Sequence, residues 1–181
     1  MLNADDLNAA GLGLEYGWVE LVLVPPAWVE IGVQLSSELQ TSLAGLAVRV
    51  EHIGSTSVSG LLAKPIIDVA IGTPPDTDLT VIVERLSESH WMYRGDAGDQ
   101  GGHVFVLESR ARHRVAHAHV VEHGAEQWCR YLALRKTLRT SDEARHRYAS
   151  EKRRLVAELG RDNSAGVYTA GKSSVVAELL R

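Results

Sequence analysis

The chain has 181 residues, 45% hydrophobic and 23% charged, with a formal net charge of −4, which fits one folded domain and disfavours broad nucleic-acid binding. Cys129 is the single cysteine, which excludes an intrachain disulfide and a thiolate metal cluster. No apolar run of about 18 residues occurs and Met1 to Asn8 is acidic, so no membrane span or signal peptide is expected, which points to the cytoplasm.

Residues 1–17, rich in Ala, Asp, Asn and Gly, read as a flexible lead-in, and residues 18–181 as a single domain. Trp18 to Val24 reads as a strand that Pro25-Pro26 ends; proline is tolerated in a first helical turn. Val29, Val33, Leu35, Leu39 and Leu43 then suit an amphipathic helix. A strand over Ala47–Val50 delivers the chain to Gly54-Ser55-Thr56-Ser57, and Ile66–Ile71 is a second, buried strand bounded by Gly72 and Pro74-Pro75. Residues 77–88 read as a helix. His103–Leu107 and Val115–Val121 read as strands joined by the basic loop Ser109–Arg114.

From Gly124 the pattern becomes helical, over residues 125–139, 142–159 and 164–180. Ser141 is placed to cap the second of these helices, and Asp162 or Asn163 the third. The plan is therefore α/β (α+β): a mixed β-sheet core over 18–123 with flanking helices, and a helical C-terminal part over 124–181.

The sharpest chemical signal is a strand, a Gly-Ser turn, and a second strand carrying Asp68 about a dozen residues on. Such a turn frees backbone N–H groups and a hydroxyl for a phosphate. Asp68 at the strand end suits a metal ion beside that phosphate. The plainer alternatives are a tight turn whose serine caps a helix, and an Asp68 paired with Lys64 or an arginine.

His52-Ile-Gly-Ser-Thr-Ser-Val58, Gly60 and Lys64-Pro-Ile-Ile-Asp68 resemble the signature of the GrpB family, which is assigned to the nucleotidyltransferase superfamily. The resemblance runs on through Tyr93–Gly98, His117-Ala-His-Val120, Leu132-Ala-Leu-Arg135, Lys152-Arg153, Tyr168 and Lys172. It implies a nucleotidyltransferase-like fold whose cleft takes a nucleoside triphosphate and a divalent ion, Mg²⁺ or Mn²⁺. The ligands so implied are Gly54, Ser55, Thr56, Lys64, Arg135, Lys152, Tyr168 and Lys172, with Asp68, Ser55 and His52 as catalytic candidates. A similar domain is also fused behind dephospho-coenzyme A kinase in some bacteria, so a silent binding module is a second reading.

Two positions depart from the family. Ser59 stands where proline is usual. Ala70 stands where active nucleotidyltransferases carry the second carboxylate of Asp-x-Asp, which two Mg²⁺ ions need. The neighbouring strand offers His117 and His119, two apart and so on one face. Together with Asp68 they suit Zn²⁺, Mn²⁺ or Fe²⁺, which opens a third reading: an unrelated metalloenzyme in the same cleft. His52 is placed as a fourth ligand or a general base.

Arg110, Arg112 and Arg114 form a cationic loop, solvated or holding a phosphate or carboxylate, with Arg112 and Arg114 the candidates. Arg135 is expected to point into the cleft. Tyr168 and Lys172 share a helix face from which lysines neutralise phosphates. His103, His113 and His123 read as surface residues, Trp91 and Trp128 as core. The expected partner is a nucleotide or other small molecule, with no membrane; the oligomeric state has no sequence signal.

Overall fold

The computed structural model describes residues 2–97, 102–159 and 165–181. Its first helix, α1 (Ala4–Ala9), carries a capping box: the Asn3 side chain accepts from the Asp5 and Asp6 backbones, and the Asp6 carboxylate accepts from the Asn3 backbone. Leu7 and Leu12 are 0% and 1% exposed, a burial that contributes about 1.5–3 kcal/mol per leucine. Strand β1 (Leu14–Glu15) follows. The expected flexible lead-in is thus folded against the domain. Its composition concealed this, because a six-residue helix with one buried position carries no period to read.

Of the strand expected over 18–24, only β2 (Val22–Leu23) pairs. Val19, upstream of it, packs on Leu155 and Tyr168 of the helical half. Helix α2 (Pro26–Ser42) buries Trp28, Leu35 and Leu39, whereas Val33, on the expected apolar stripe, is 57% exposed. Strand β3 (Arg49–Ile53) begins two residues later than expected, since Ala47 lies at φ 52°, outside any strand conformation.

The Gly-Ser turn leads into a single 3₁₀ turn, Ser55–Ser57, and not into an α-helix. Strand β4 (Leu62–Ala63) then pairs with β2, and β5 (Ile67–Thr73) enters the main sheet. Helix α3 (Leu79–Ser87) is capped by Asp78, whose carboxylate accepts from Thr80 N–H. Strands β6 (Met92–Asp96), β7 (His103–Arg110) and β8 (His113–Glu122) complete the sheet. The basic loop shrinks to a tight β7–β8 connection with Arg112 at φ 64°.

The sheet order is β3-β5-β8-β7-β6, with β1 beside the start of β8; β5 and β8 run parallel and the remaining pairs antiparallel. One face carries the main core, where Ile67, Val69, Ala116 and Ala118 meet α1, α2 and α3. The other face presents Asp68, Ala70, His117 and His119 toward the helical half.

That half begins with α4 (Glu126–Thr140) and α5 (Asp142–Leu159), and Ser141 Oγ accepts from Ala144 N–H as expected of a cap. The single helix expected over 164–180 is two, α6 (Ala165–Gly171) and α7 (Ser173–Leu179), broken at Lys172. The caps assigned to Asp162 or Asn163 lie outside the described residues, as does Gly98 of the Tyr93–Gly98 stretch.

Candidate metal and phosphate site

The parallel register of β5 and β8 sets Asp68 opposite His117 and Ala70 opposite His119, all on one face. Their side chains are 32%, 17% and 21% exposed for Asp68, His117 and His119, so the group is walled in yet open on one side. Asp68 Oδ1 lies 3.2 Å from His117 Nδ1 and 3.8 Å from His119 Nε2. One ligand atom from each of the three falls within 4.8 Å of the others, the spread of a set around one ion.

Burial pushes the Asp68 carboxyl up, but the two histidines outweigh it and hold the acid well below the usual carboxylate range. Burial also lowers His117, against the pull of Asp68. The pair is therefore a carboxylate beside a neutral imidazole, the protonation states a metal requires. Among the described residues Asp68 pairs with neither Lys64 nor an arginine, the structural alternative raised by the sequence.

Gly54, at φ 68°, brings the turn onto this group; a Cβ there would stand 2.7 Å from Asp68 Oδ2, so glycine is required for the approach. Ser55 follows, half-buried, and its Oγ is 2.6 Å from Lys152 Nζ, which also donates to Leu62 O at 2.5 Å. Lys152 comes from α5 and is 1% exposed. Its ammonium lies over Tyr148 at 4.2 Å, while those of Lys64 and Lys172 lie over Tyr168 at 5.3 and 4.7 Å.

Burial and the lysines' mutual repulsion lower Lys64 to about 8 and Lys152 well below the lysine range. Among the described residues no carboxylate pairs with any of the three lysines. Concentrated positive charge without a carboxylate partner, beside the Ser55 hydroxyl, suits a phosphate.

Other expected residues fall elsewhere. His52 lies on the opposite face of β3, level with Val69, with its ring against Gly32 of α2. Its Nε2 is 3.2 Å from Thr56 Oγ1, which also places Thr56 away from the cleft. Burial lowers His52 to about 4, with Arg139 and Arg135 adding to the fall against the attraction of Asp68, and its Nδ1 is buried without a hydrogen-bond partner. Strand alternation thus separates His52 from the metal group.

Arg135 donates to Glu51 at 2.8 Å and to His52 O at 2.6 Å, and so seals the outer edge of β3. It lines a cavity of about 330 Å³ that includes none of Asp68, His117 and His119. Arg110 pairs with Glu15, and Arg112 stacks on Tyr16 at 5.8 Å; neither reaches the cleft. Arg114 turns inward: it is 5% exposed, leaves Nε without a partner, and its charge is felt at Lys64 and His117. His113 is buried, not surface, with its ring against Gly13 and Nδ1 2.8 Å from Ser109 Oγ.

Two contributors escaped sequence reasoning. Tyr131, on α4, stacks by His119 at 5.6 Å. Tyr148 supports Lys152. Both look like ordinary helix-packing aromatics, and only their sequence neighbours Leu132–Arg135 and Lys152 hinted at them.

A mixed sheet with a Gly-Ser turn packed on a strand aspartate, flanked by helices, defines a nucleotidyltransferase-like α/β domain. The profile of the family described as GrpB protein matches residues 18–181, and the chain belongs to that family. It is 32% identical over 164 residues to a UPF0157 protein of Pseudomonas aeruginosa, covering 90% of this chain and 66% of that one. It is 28% identical to the glutamate-rich protein GrpB of Alkalihalophilus pseudofirmus, covering 93% and 98% of the two chains. The crystal structure of GrpB from Enterococcus faecalis superposes with a TM-score of 0.69 at 24% identity, over 90% of this chain and all (100%) of that one. The Cid1 poly(U) polymerase, solved with MgGTP bound, shares the fold at a TM-score of 0.53 and 9% identity, over 76% of this chain and 44% of that one. The chain thus spans about two thirds of the Pseudomonas relative and under half of the polymerase.

Proposed function

We propose that this domain binds a nucleoside triphosphate together with a divalent ion, and transfers the nucleotidyl group to a small-molecule acceptor. The observation that carries this reading is the contact of Lys152 with Ser55 in the turn that Gly54 presses against Asp68, with Lys64 and Lys172 close by and no carboxylate paired with the three among the described residues. Ser55 and the turn's backbone N–H groups hold phosphate oxygens, and Lys64 and Lys172 match their charge. Asp68, His117 and His119 hold the ion. Two imidazoles and one carboxylate favour Mn²⁺, Zn²⁺ or Fe²⁺ over Mg²⁺. When bound, the ion supplies Lewis-acid charge against phosphate oxygens. Arg114 closes the site from the β1 side with its spare Nε–H.

A silent binding module is favoured by one observation: Ala70, where a second carboxylate would stand, is 0% exposed in an apolar cluster with Ile53 and Trp128. Thermal melts of wild type and Asp68→Ala with ATP, CTP, GTP or UTP, each alone and with Mg²⁺, Mn²⁺ or Zn²⁺, test the nucleotide reading. Saturation with a true ligand raises the midpoint by on the order of 5–10 °C, with the metal-dependent part lost in Asp68→Ala. A shift with metal alone and none with any nucleotide would move the site to an unrelated metalloenzyme chemistry.

A further inference from the structure

The apparatus that ordinarily activates an acceptor hydroxyl is incomplete, because Ala70 cannot act as a carboxylate and His119 is its neighbour across β8. A different hydroxyl has a base beside it. Ser55 Oγ is 2.6 Å from Lys152 Nζ, which is held by Leu62 O on a second side and by the Tyr148 ring on a third. Ser55 is half-buried and reachable, while Lys152 is 1% exposed and is screened from water. Chain connectivity sets Ser55 next to Gly54, which itself touches Asp68. A serine hydroxyl paired with a buried lysine is an arrangement that makes nucleophiles.

We propose that Ser55 is a nucleophile with Lys152 as its general base, and that nucleotidyl transfer runs by double displacement through a nucleotidyl-Ser55 intermediate. This rests on the nucleotide reading above and names its route. In the first half, Ser55 Oγ bonds to the α-phosphorus of the triphosphate and the bond from that phosphorus to the β-phosphate oxygen breaks. Pyrophosphate leaves with the electron pair, and the hydroxyl proton passes to Lys152 Nζ. Lys152 passes its extra proton to the departing pyrophosphate, which carries it out of the site. In the second half, the acceptor hydroxyl attacks the same phosphorus, the Oγ–P bond breaks, and the acceptor's proton ends on Ser55 Oγ.

The charge pattern suits each stage. Burial, with Lys172 and Lys64 close by, holds Lys152 well below the usual lysine range, so a neutral amine is available to accept from Ser55 while donating to Leu62 O. Lys64 and Lys172, which share the Tyr168 ring, remain to hold the departing pyrophosphate.

The test uses the whole chain with ATP, CTP, GTP or UTP and Mn²⁺, without acceptor, reading intact mass, the modified residue, and exchange of labelled pyrophosphate into the triphosphate. The expected result is a mass gain of one nucleoside monophosphate, mapped to Ser55, with pyrophosphate exchange, both lost in Ser55→Ala. Lys152→Met slows adduct formation roughly a hundredfold or more; Lys152→Arg, which keeps charge but is no base at neutral pH, does not rescue it. The wild-type result decides the matter even if a lysine variant folds poorly. A nucleotide that raises the melting midpoint but leaves neither adduct nor exchange overturns the covalent route alone. An adduct at any residue other than Ser55 overturns it too. No midpoint shift with any nucleotide overturns the nucleotide reading along with it.

Discussion

Two sets of cations flank the sheet and use their charge in opposite ways. Arginines at the β3 edge and around Tyr16 spend their donors inside the protein: Arg135 on Glu51 and His52 O, Arg139 on Ser57 O twice, Arg94 on Glu108. The lysines Lys64, Lys152 and Lys172 are paired with aromatic faces, a hydroxyl and a carbonyl, and with no carboxylate among the described residues. A guanidinium fork satisfied by fixed oxygens is architecture, whereas an ammonium left uncompensated is a demand for an anion. Cation count alone does not separate the two sides. The state of each cation's partners does.

The contrast breaks if the two sets respond alike to truncation. Arg135→Met leaves Glu51 and the His52 carbonyl without their partner, and is expected to cost about 1–3 kcal/mol in urea unfolding, with nucleotide binding unchanged within twofold. Lys172→Ala reverses the pattern: affinity for the triphosphate falls roughly tenfold, about 1.4 kcal/mol, with little change in the melt of the free protein. Lys152→Met removes an amine that burial already holds largely neutral; the hydrogen bond lost at Leu62 O is offset by no longer desolvating the polar group, so stability is expected to stay within about 1 kcal/mol of wild type. Equal destabilisation by Lys152→Met and Arg135→Met would show that the lysine is architecture as well.

The contrast also has a pH signature. Burial and the neighbouring Lys172 lower Lys64 to about 8 when folded, against the ordinary 10.5, so between those values the unfolded chain binds the extra proton. Stability therefore rises as pH increases from about 8 toward 10.5, and the penalty of holding the charge is fully present below about 8. Urea midpoints at successive pH values should climb in wild type and climb less in Lys64→Met. Saturating nucleotide should flatten the slope, since bound phosphate favours the charged amine.

Much of the site could be read before any coordinates. The period-2 spacing of His117 and His119 fixed their shared face, and the Gly-Ser to Asp68 spacing marked the turn. What spacing could not supply was register. The pairing of Asp68 with His117, and the placing of Ile53, not His52, beside Asp68, follow from strand alignment, which a one-residue slip would invert. The lysine cluster joins β4–β5 to α5 and α7, a tertiary meeting with no local signature, and only family resemblance brought Lys152, Tyr168 and Lys172 together in advance. The folded lead-in was hidden for another reason: Leu7, Leu12 and Leu14 are isolated leucines among Asp, Asn, Gly and Glu, and their burial is decided by the sheet they land on. Likewise the sequence did not show that Arg112 and Arg114, two residues apart, would part ways at a tight turn.

The most direct measurement is a calorimetric titration of whichever triphosphate most raises the melting midpoint, with Mn²⁺, into wild type, Asp68→Ala, Lys172→Ala and Arg135→Met. A ligand cleft built by the metal group and the lysines predicts one site in wild type, tenfold or more weakening in Asp68→Ala and in Lys172→Ala, and unchanged affinity in Arg135→Met. Binding that persists in the first two variants and fails in the folded Arg135→Met protein would contradict it and move the ligand to the β3 edge.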